Sequence, residues 1–369
     1  MKLLFWLTIG LALGFAAQRL YRADVSDLEA QATEAWNRKD LPAAETLARR
    51  ALGRDHKAAR AREILGQLGQ VLERPEIPLA LARDEARNSS HPELALAEVG
   101  RIALSSHLFR VADEAFGDAV HRFPENAALR RQFAALSGLR LDAEQMQSRL
   151  LDWSNHGQPT ADLVLMSLGL WSIESRGAEP SEVWLRAAVE ADESDIASRA
   201  GLARCLLAMG RYGECEQLLD GYRQQRELAL LLALVYATTR DVARAEALLP
   251  TSEPATQRGE YWFIKGLIAT EKGDAPAAEA AYQQAVRFQP LNKTFRSRYV
   301  DLIRRRDQTA ATSQPIRELE TVVRIVQQAM QSQQTGAPVS LKDLAEMCRG
   351  VGADEAASLI DRAAQSSES

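Results

Sequence analysis

One spacing pattern returns about every 34 residues and leaves this chain few folds to choose from. Its clearest copy begins at Gly259. Trp262 is followed by Gly266, then come the turn Gly273-Asp274 and the landmarks Ala278, Tyr282, Ala285 and Pro290. The spacing predicts two antiparallel helices joined by a short turn. Small residues belong where the helices cross closely, here Gly266 and Ala278, and large ones such as Trp262 and Tyr282 fill the space beside them. Gly273 is placed to end the first helix, because glycine takes positive φ without strain. Pro290 closes the second.

Further copies follow in phase. Residues 93–126 carry Leu96, Val99-Gly100, Ala103, Phe109, Ala112, Phe116, Ala119 and Pro124. Residues 162–195 carry Leu168-Gly169, Leu185 and Ala188, with Gly177 at the expected turn. Residues 196–225 carry Leu202-Ala203, Gly210 and Cys215, and 226–258 carry Leu232-Ala233, Tyr236, Asp241 and Ala245. Residues 25–58 carry Ala32, Asp40-Leu41, Ala44, Ala48 and Ala51. Two copies are degenerate. Residues 59–92 have Pro75 and Pro78 where a second helix should begin, and 127–161 have Met146 where alanine is usual. On these residues the chain resembles the tetratricopeptide-repeat family. The resemblance implies an all-α fold: a solenoid of helix-turn-helix units coiled into a right-handed superhelix. About eight tandem repeats and a capping helix occupy 25–306. A linker at 307–315, an amphipathic helix at 316–331, a last helical pair at 337–365 and a disordered end at 366–369 follow. No strand-like alternation competes with this reading.

The N-terminus is a separate signal. Met1-Lys2 precedes an apolar run from Leu3 to Ala17, followed by Arg19 and Arg22. Residues 1–22 read as an N-terminal hydrophobic signal or anchor helix. The run is somewhat short of the ~20 residues that cross a bilayer comfortably. One reading is a secretory signal peptide cut after Ala16. The other is an uncleaved anchor whose Lys2 and Arg19 snorkel, which bulky Phe15 beside the cut site favours. Either places the repeats outside the cytoplasm, membrane-bound in the first instance and secreted or periplasmic after cleavage.

Chemistry of its own is not expected. The chain has no G-x-G-x-x-G, no P-loop and no nucleophile elbow, and its five histidines lack metal-ligand spacing. Its three cysteines form no C-x-x-C pair, so no zinc site follows. Cys205 and Cys215 fall on paired helices of one repeat, and sequence alone leaves their pairing open. The net charge of −5, with signs interspersed, excludes the basic face that nucleic acid requires. The reading is a non-catalytic protein without cofactor or metal.

In the family that the spacing resembles, ligand contacts come from the first helix of each repeat. The matching positions here are Leu163, Met166, Leu170 and Ile173; then Arg204 and Leu207; then Glu227, Leu230 and Leu234; then Glu260, Phe263 and Leu267. They lack the Lys and Asn clamp by which some members hold a C-terminal carboxylate. The expected partner groove is therefore Leu163, Met166, Leu170, Ile173, Leu230, Leu234, Phe263 and Leu267, an apolar surface suited to an amphipathic helix or apolar protein segment. The function expected is a membrane-anchored or exported scaffold for protein–protein interaction in the cell envelope. The alternative is an accessory subunit that recruits a catalytic partner or an envelope-polymer substrate. The amphipathic 316–331 helix is a rival occupant of the same groove.

Overall fold

The computed structural model describes residues 24–171, 175–306 and 313–368, and all regular structure there is helical. The apolar Leu3–Ala17 run, Ile173 and most of the 307–315 linker lie outside the described residues. No helix among the described residues is long and apolar enough to cross a membrane.

The chain divides into two compact units at Ser106/His107, so the copy at 93–126 is split at its turn. The first unit holds α1 (24–37), α2 (Leu41–Arg54), α3 (Ala59–Val71), α4 (Glu76–Asn88) and α5 (Pro92–Ser105). Its core is Leu28, Ala32, Ala44, Ala48, Ala51, Ile64, Leu65 and Leu68. The prolines of its degenerate copy start α4 rather than block it. Pro75 is the N-cap, and Pro78 packs so near α3 that a Cβ on Gly69 would lie 2.6 Å from its ring.

The second unit holds α6 (Phe109–Arg122), α7 (Ala127–Leu139), α8 (Ala143–Ser154), α9 (Ala161–Leu170), α10 (Ser175–Ala191), α11 (Ile196–Ala208) and α12 (Tyr212–Leu219). It continues with α13 (Arg226–Thr238), α14 (Val242–Leu248), α15 (Arg258–Glu271), α16 (Ala275–Phe288), α17 (Lys293–Arg306), α18 (Gln314–Thr335), α19 (Leu341–Gly350) and α20 (Asp354–Glu368). Gly177, expected at a turn, lies inside α10. The helix expected at 316–331 is longer at both ends, and α20 runs on past 365. At the best-spaced copy, Gly266 faces the ring of Tyr282 rather than Ala278: a Cβ there would sit 2.5 Å from the ring. In the degenerate copy Gly138 makes room for Met166 of α9, whose methyl would lie 2.7 Å from a Cβ at 138, while Met146 stands at ordinary contact distance, 3.5 Å.

Four of the turns inside the pairs share one device. A residue at positive φ reverses the chain: Lys39 (62°), Leu141 (52°), Arg240 (66°) and Gly273 (77°). The aspartate that follows (Asp40, Asp142, Asp241, Asp274) accepts a hydrogen bond from a main-chain amide of the next helix's first turn.

A second device recurs on first helices. Arg62, Arg130 and Arg296 each donate through Nε to the carbonyl six residues earlier, of His56, Pro124 and Pro290. Each then reaches an acid 22 residues on: Asp84, Asp152 and Glu318, at 2.6 to 2.7 Å. Arg199 keeps the carbonyl contact, to Glu193. In place of the acid, its guanidinium lies 4.0 Å over the ring of Tyr222.

The C-terminal helices do not extend the array. α18 packs along α9, and α20 packs against α8 and α9. Val322, Ile325, Val326 and Ala329 of α18 join Leu163, Leu165 and Leu168 of α9 and Leu359, Ile360 and Ala363 of α20 in one buried cluster. Arg296 ties this layer to α17 by a further donation to the Val351 carbonyl at 2.7 Å.

Candidate functional site

Folding α18–α20 back onto α8 and α9 leaves a cleft in the second unit, lined by the inner sides of successive first helices. It has two lobes. The narrower, about 280 Å³, is walled by Leu170 and Trp171 of the α9 end, Leu207 of α11, Leu231 and Leu234 of α13, Phe263 and Leu267 of α15, and Phe295 and Arg298 of α17. The wider, about 630 Å³, lies between α8, the start of α15, the Phe288–Leu291 loop and the Gly352–Ala356 turn. Glu144, Trp171 and Gln289 line both, so the lobes adjoin.

The structure separates the expected groove residues into two groups. Leu170, Leu234, Phe263 and Leu267 meet in the narrow lobe. Leu163 is buried in the layer shared with α18 and α20, and Met166 packs partly buried against that same layer, so this stretch is covered by the chain's own C-terminal helices. Leu230 is 3% exposed within the core. Phe263 is both wall and core: 4% exposed, it stacks on Phe295 at 4.3 Å and 20°, with Tyr282 tilted at 5.9 Å. Leu170, Leu207 and Leu234 are the half-buried side chains that leave apolar surface open to the cleft.

The cleft also holds charge that an apolar reading overlooks. Arg204 projects from α11 with its Nη1 3.5 Å from Asp142 and its Nη2 3.2 Å from Glu227. Burial by itself lowers the pKa of its guanidinium, but Asp142, Glu227 and Glu260 outweigh that and raise it. Burial likewise raises the Glu227 carboxyl, against the pull of Arg204. Glu144 stands open to the cleft's water yet is surrounded by protein. Loss of bulk solvation first, then the nearby Glu260 and Asp142, push its pKa up to about 7. The nearby main-chain amide of Gln257 partly offsets the shift.

Several features fix these groups in place. The turn that carries Asp142 and Glu144 is pinned by a buried ion pair, Arg140 to Asp195 at 2.9 Å. α11 approaches so closely there that a Cβ on Gly201 would lie 2.5 Å from the Arg140 carbonyl. Gln289, 3% exposed, donates to Glu260 at 2.8 Å and accepts from Asn292 at 2.9 Å. Gly259 leaves room for Gln289, since a Cβ there would lie 2.7 Å from its side chain. Three buried donor atoms in this region make no hydrogen bond: Arg140 Nε, Arg204 Nη1 and Gln257 Nε2. Among the described residues no three His, Cys, Asp or Glu side chains converge as metal ligands.

No family model and no curated protein matches the chain. Solved structures similar to it include a tetratricopeptide repeat protein from Parabacteroides merdae, at 14% identity over 76% of this chain and 98% of that one, with a TM-score of 0.33. Another is the Cut9–Hcn1 hetero-tetramer of the APC/C, at 12% identity over 92% and 76%, TM-score 0.39. A third is the TPR domain of P58(IPK), at 12% identity over 78% and 99%, TM-score 0.25. All three are distant in shape. The tetratricopeptide-like fold of this chain is read from its own helix pairs and turns.

Proposed function

We propose that this protein is a non-catalytic repeat scaffold that holds a segment of a partner protein in the cleft of its second unit. The supporting observation is the convergence of Leu170, Leu207 and Leu234, half-buried and facing one cavity, beside a wall of fixed core side chains. Rigid backing with open apolar patches is what a peptide needs to gain from burial without the chain first reorganising. Each aliphatic side chain buried by the partner contributes roughly 1.5–3 kcal/mol, so a few of them dominate affinity. The occupant is a single amphipathic or apolar segment, because the α9 stretch that would lengthen the groove is already taken by α18 and α20.

The Leu3–Ala17 run completes the proposal: it tethers the repeats to a membrane and places them in the cell envelope. N-terminal sequencing and alkaline extraction of the membrane fraction test that part, and a soluble form starting near Ala17 would replace the tether with a signal peptide. Site-specific photo-crosslinking of the full chain in its native cell tests the cleft. A benzoylphenylalanine at Leu234 or Leu170 should give one discrete protein adduct that the exposed control position Val183 does not give. Identical adducts from all three positions, or none from the cleft, would sink the reading.

A further inference from the structure

The cleft is apolar on one side and over-supplied with carboxylates on the other. Asp142, Glu144, Glu227 and Glu260 gather about Arg204, with Arg140 behind Glu227, while Arg298 stands exposed at the α17 rim and the exposed Arg258 and Arg287 border the wider lobe. Arg204 touches only Asp142 and Glu227. Glu260 takes an amide hydrogen bond from Gln289, and among the described residues neither Glu260 nor Glu144 makes a direct ion pair, although Arg204 acts on both at longer range. Loss of bulk solvation first, and then the neighbouring Glu260 and Asp142, raise the cost of ionising Glu144. A ligand that brings a positive charge relieves that cost, whereas an anionic or purely apolar one leaves it in place. The carboxylates are too spread to chelate a metal ion. The charge that fits is therefore an extended side chain reaching in from a docked segment.

Resting on the function proposed above, we infer that the partner is a basic amphipathic peptide. Its lysine or arginine lodges beside Glu144 and Glu260, and its neighbouring aliphatic or aromatic side chains lie on Leu170, Leu207 and Leu234. Two consequences separate this partner from an apolar one. Binding weakens with added salt, because the pairs form at the edge of open solvent. It also strengthens as pH rises from 6 to 8, the range in which Glu144 gives up its proton. Glu227, whose carboxyl is also raised, adds to the trend. The other titratable and charged side chains around Glu144 are Glu260, Asp142 and Arg204, with Arg258, Arg287, Asp354 and Glu355 across the wider lobe.

The test is a phage library of random twelve-residue peptides selected on the immobilised full chain at pH 7.5. Binders lost on the Leu234→Glu variant define those that occupy the cleft. Among them, lysine and arginine should be enriched next to Leu, Ile or Phe. Synthesised as labelled peptides, they should bind the Glu144→Gln/Glu260→Gln double variant at least tenfold more weakly, with its circular dichroism unchanged. If Leu234→Glu depletes nothing, the cleft is not the peptide site and both readings fall. If it depletes peptides that lack basic residues, or that bind the double variant within twofold of the parent, the basic partner alone is overturned. Should the double variant lose helix content, Arg204→Met serves instead. By removing the cation that acts on Glu144, Glu227 and Glu260 it should tighten basic peptides, and weaker or unchanged binding would overturn the inference.

Discussion

Phe263 separates a binding anchor from a core residue, because the sequence places it on the groove while the structure makes it part of the fold. Its ring is 4% exposed, stacked on Phe295 and tilted against Tyr282, whose own ring fills the notch left by Gly266. Replacing Phe263 with alanine empties that space, and the flanking rings are held from behind: Tyr282 by its hydroxyl contact with Thr270 at 3.1 Å, Phe295 by its place on α17. Collapse into the hole is therefore limited, and the loss should fall in the range of about 3–5 kcal/mol for a buried Phe→Ala change. At roughly 2–4 °C per kcal/mol for a domain of this size, the thermal midpoint of the second unit should drop by about 6–20 °C. Phe263→Leu, which keeps most of the volume, should cost less than about 1.5 kcal/mol. Circular dichroism at 222 nm during thermal unfolding reads both. A Phe263→Ala midpoint within 2 °C of the parent would refute the stacking argument and return Phe263 to a role in binding alone.

Three further outcomes follow from the same packing. Glu144→Gln should stabilise the protein increasingly as pH rises. Below the ordinary carboxyl value of 4.5 the parent is protonated folded and unfolded alike; between 4.5 and about 7 the folded state alone keeps the proton; above 7 the folded parent carries a disfavoured charge. Because water reaches this carboxyl, the gain at pH 8 should be only about 1 kcal/mol, and denaturant midpoints whose difference does not change between pH 4.5 and 8 would contradict it. Arg296→Met should cost about 3–5 kcal/mol by leaving Glu318 and two carbonyls without their donor, and amide exchange should accelerate first in α18–α20; uniform exchange would show that the arginine does not hold that layer. Cys205, Cys215 and Cys348 are buried free thiols with pKa pushed up to about 11, 12 and 12, so none should react with a thiol reagent at pH 8 until the protein is unfolded.

The helices and their small-residue crossings are legible in the sequence because they are local. Ala44, Ala112, Ala119, Ala278 and Ala285 are fully buried where the spacing puts small residues. Glycine is an uneven guide to the turns: Gly273 takes positive φ where it is expected, whereas Gly177 lies inside α10. Lys39, Leu141 and Arg240 take the same positive φ with nothing in their type to announce it, and the aspartate that follows is the better signal. The α9–α18 contact joins residues far apart in sequence, and an amphipathic stripe says that a face is covered without saying by what. The cleft was half legible. Arg204, Glu227 and Glu260 stand at groove positions of the repeat, but read one at a time they are isolated charges on an apolar surface. Only the fold gathers them around Asp142 and Glu144, which come from a turn in a degenerate copy.

The recurrent arginine governs where this chain can change length. Its reach is fixed at both ends, six residues back to a carbonyl and 22 forward to an acid, so any residue gained or lost inside that window puts the acid out of register. Beyond the acid nothing is counted. Insertions and deletions should therefore accumulate in relatives just after Asp84, Asp152 and Glu318 and avoid the windows before them. Where the acid gives way to a ring, as Tyr222 does for Arg199, the constraint loosens, because a ring face accepts a cation over a broader range of positions than a carboxylate does. Arg199 is thus the joint at which this array can drift in length without coming apart.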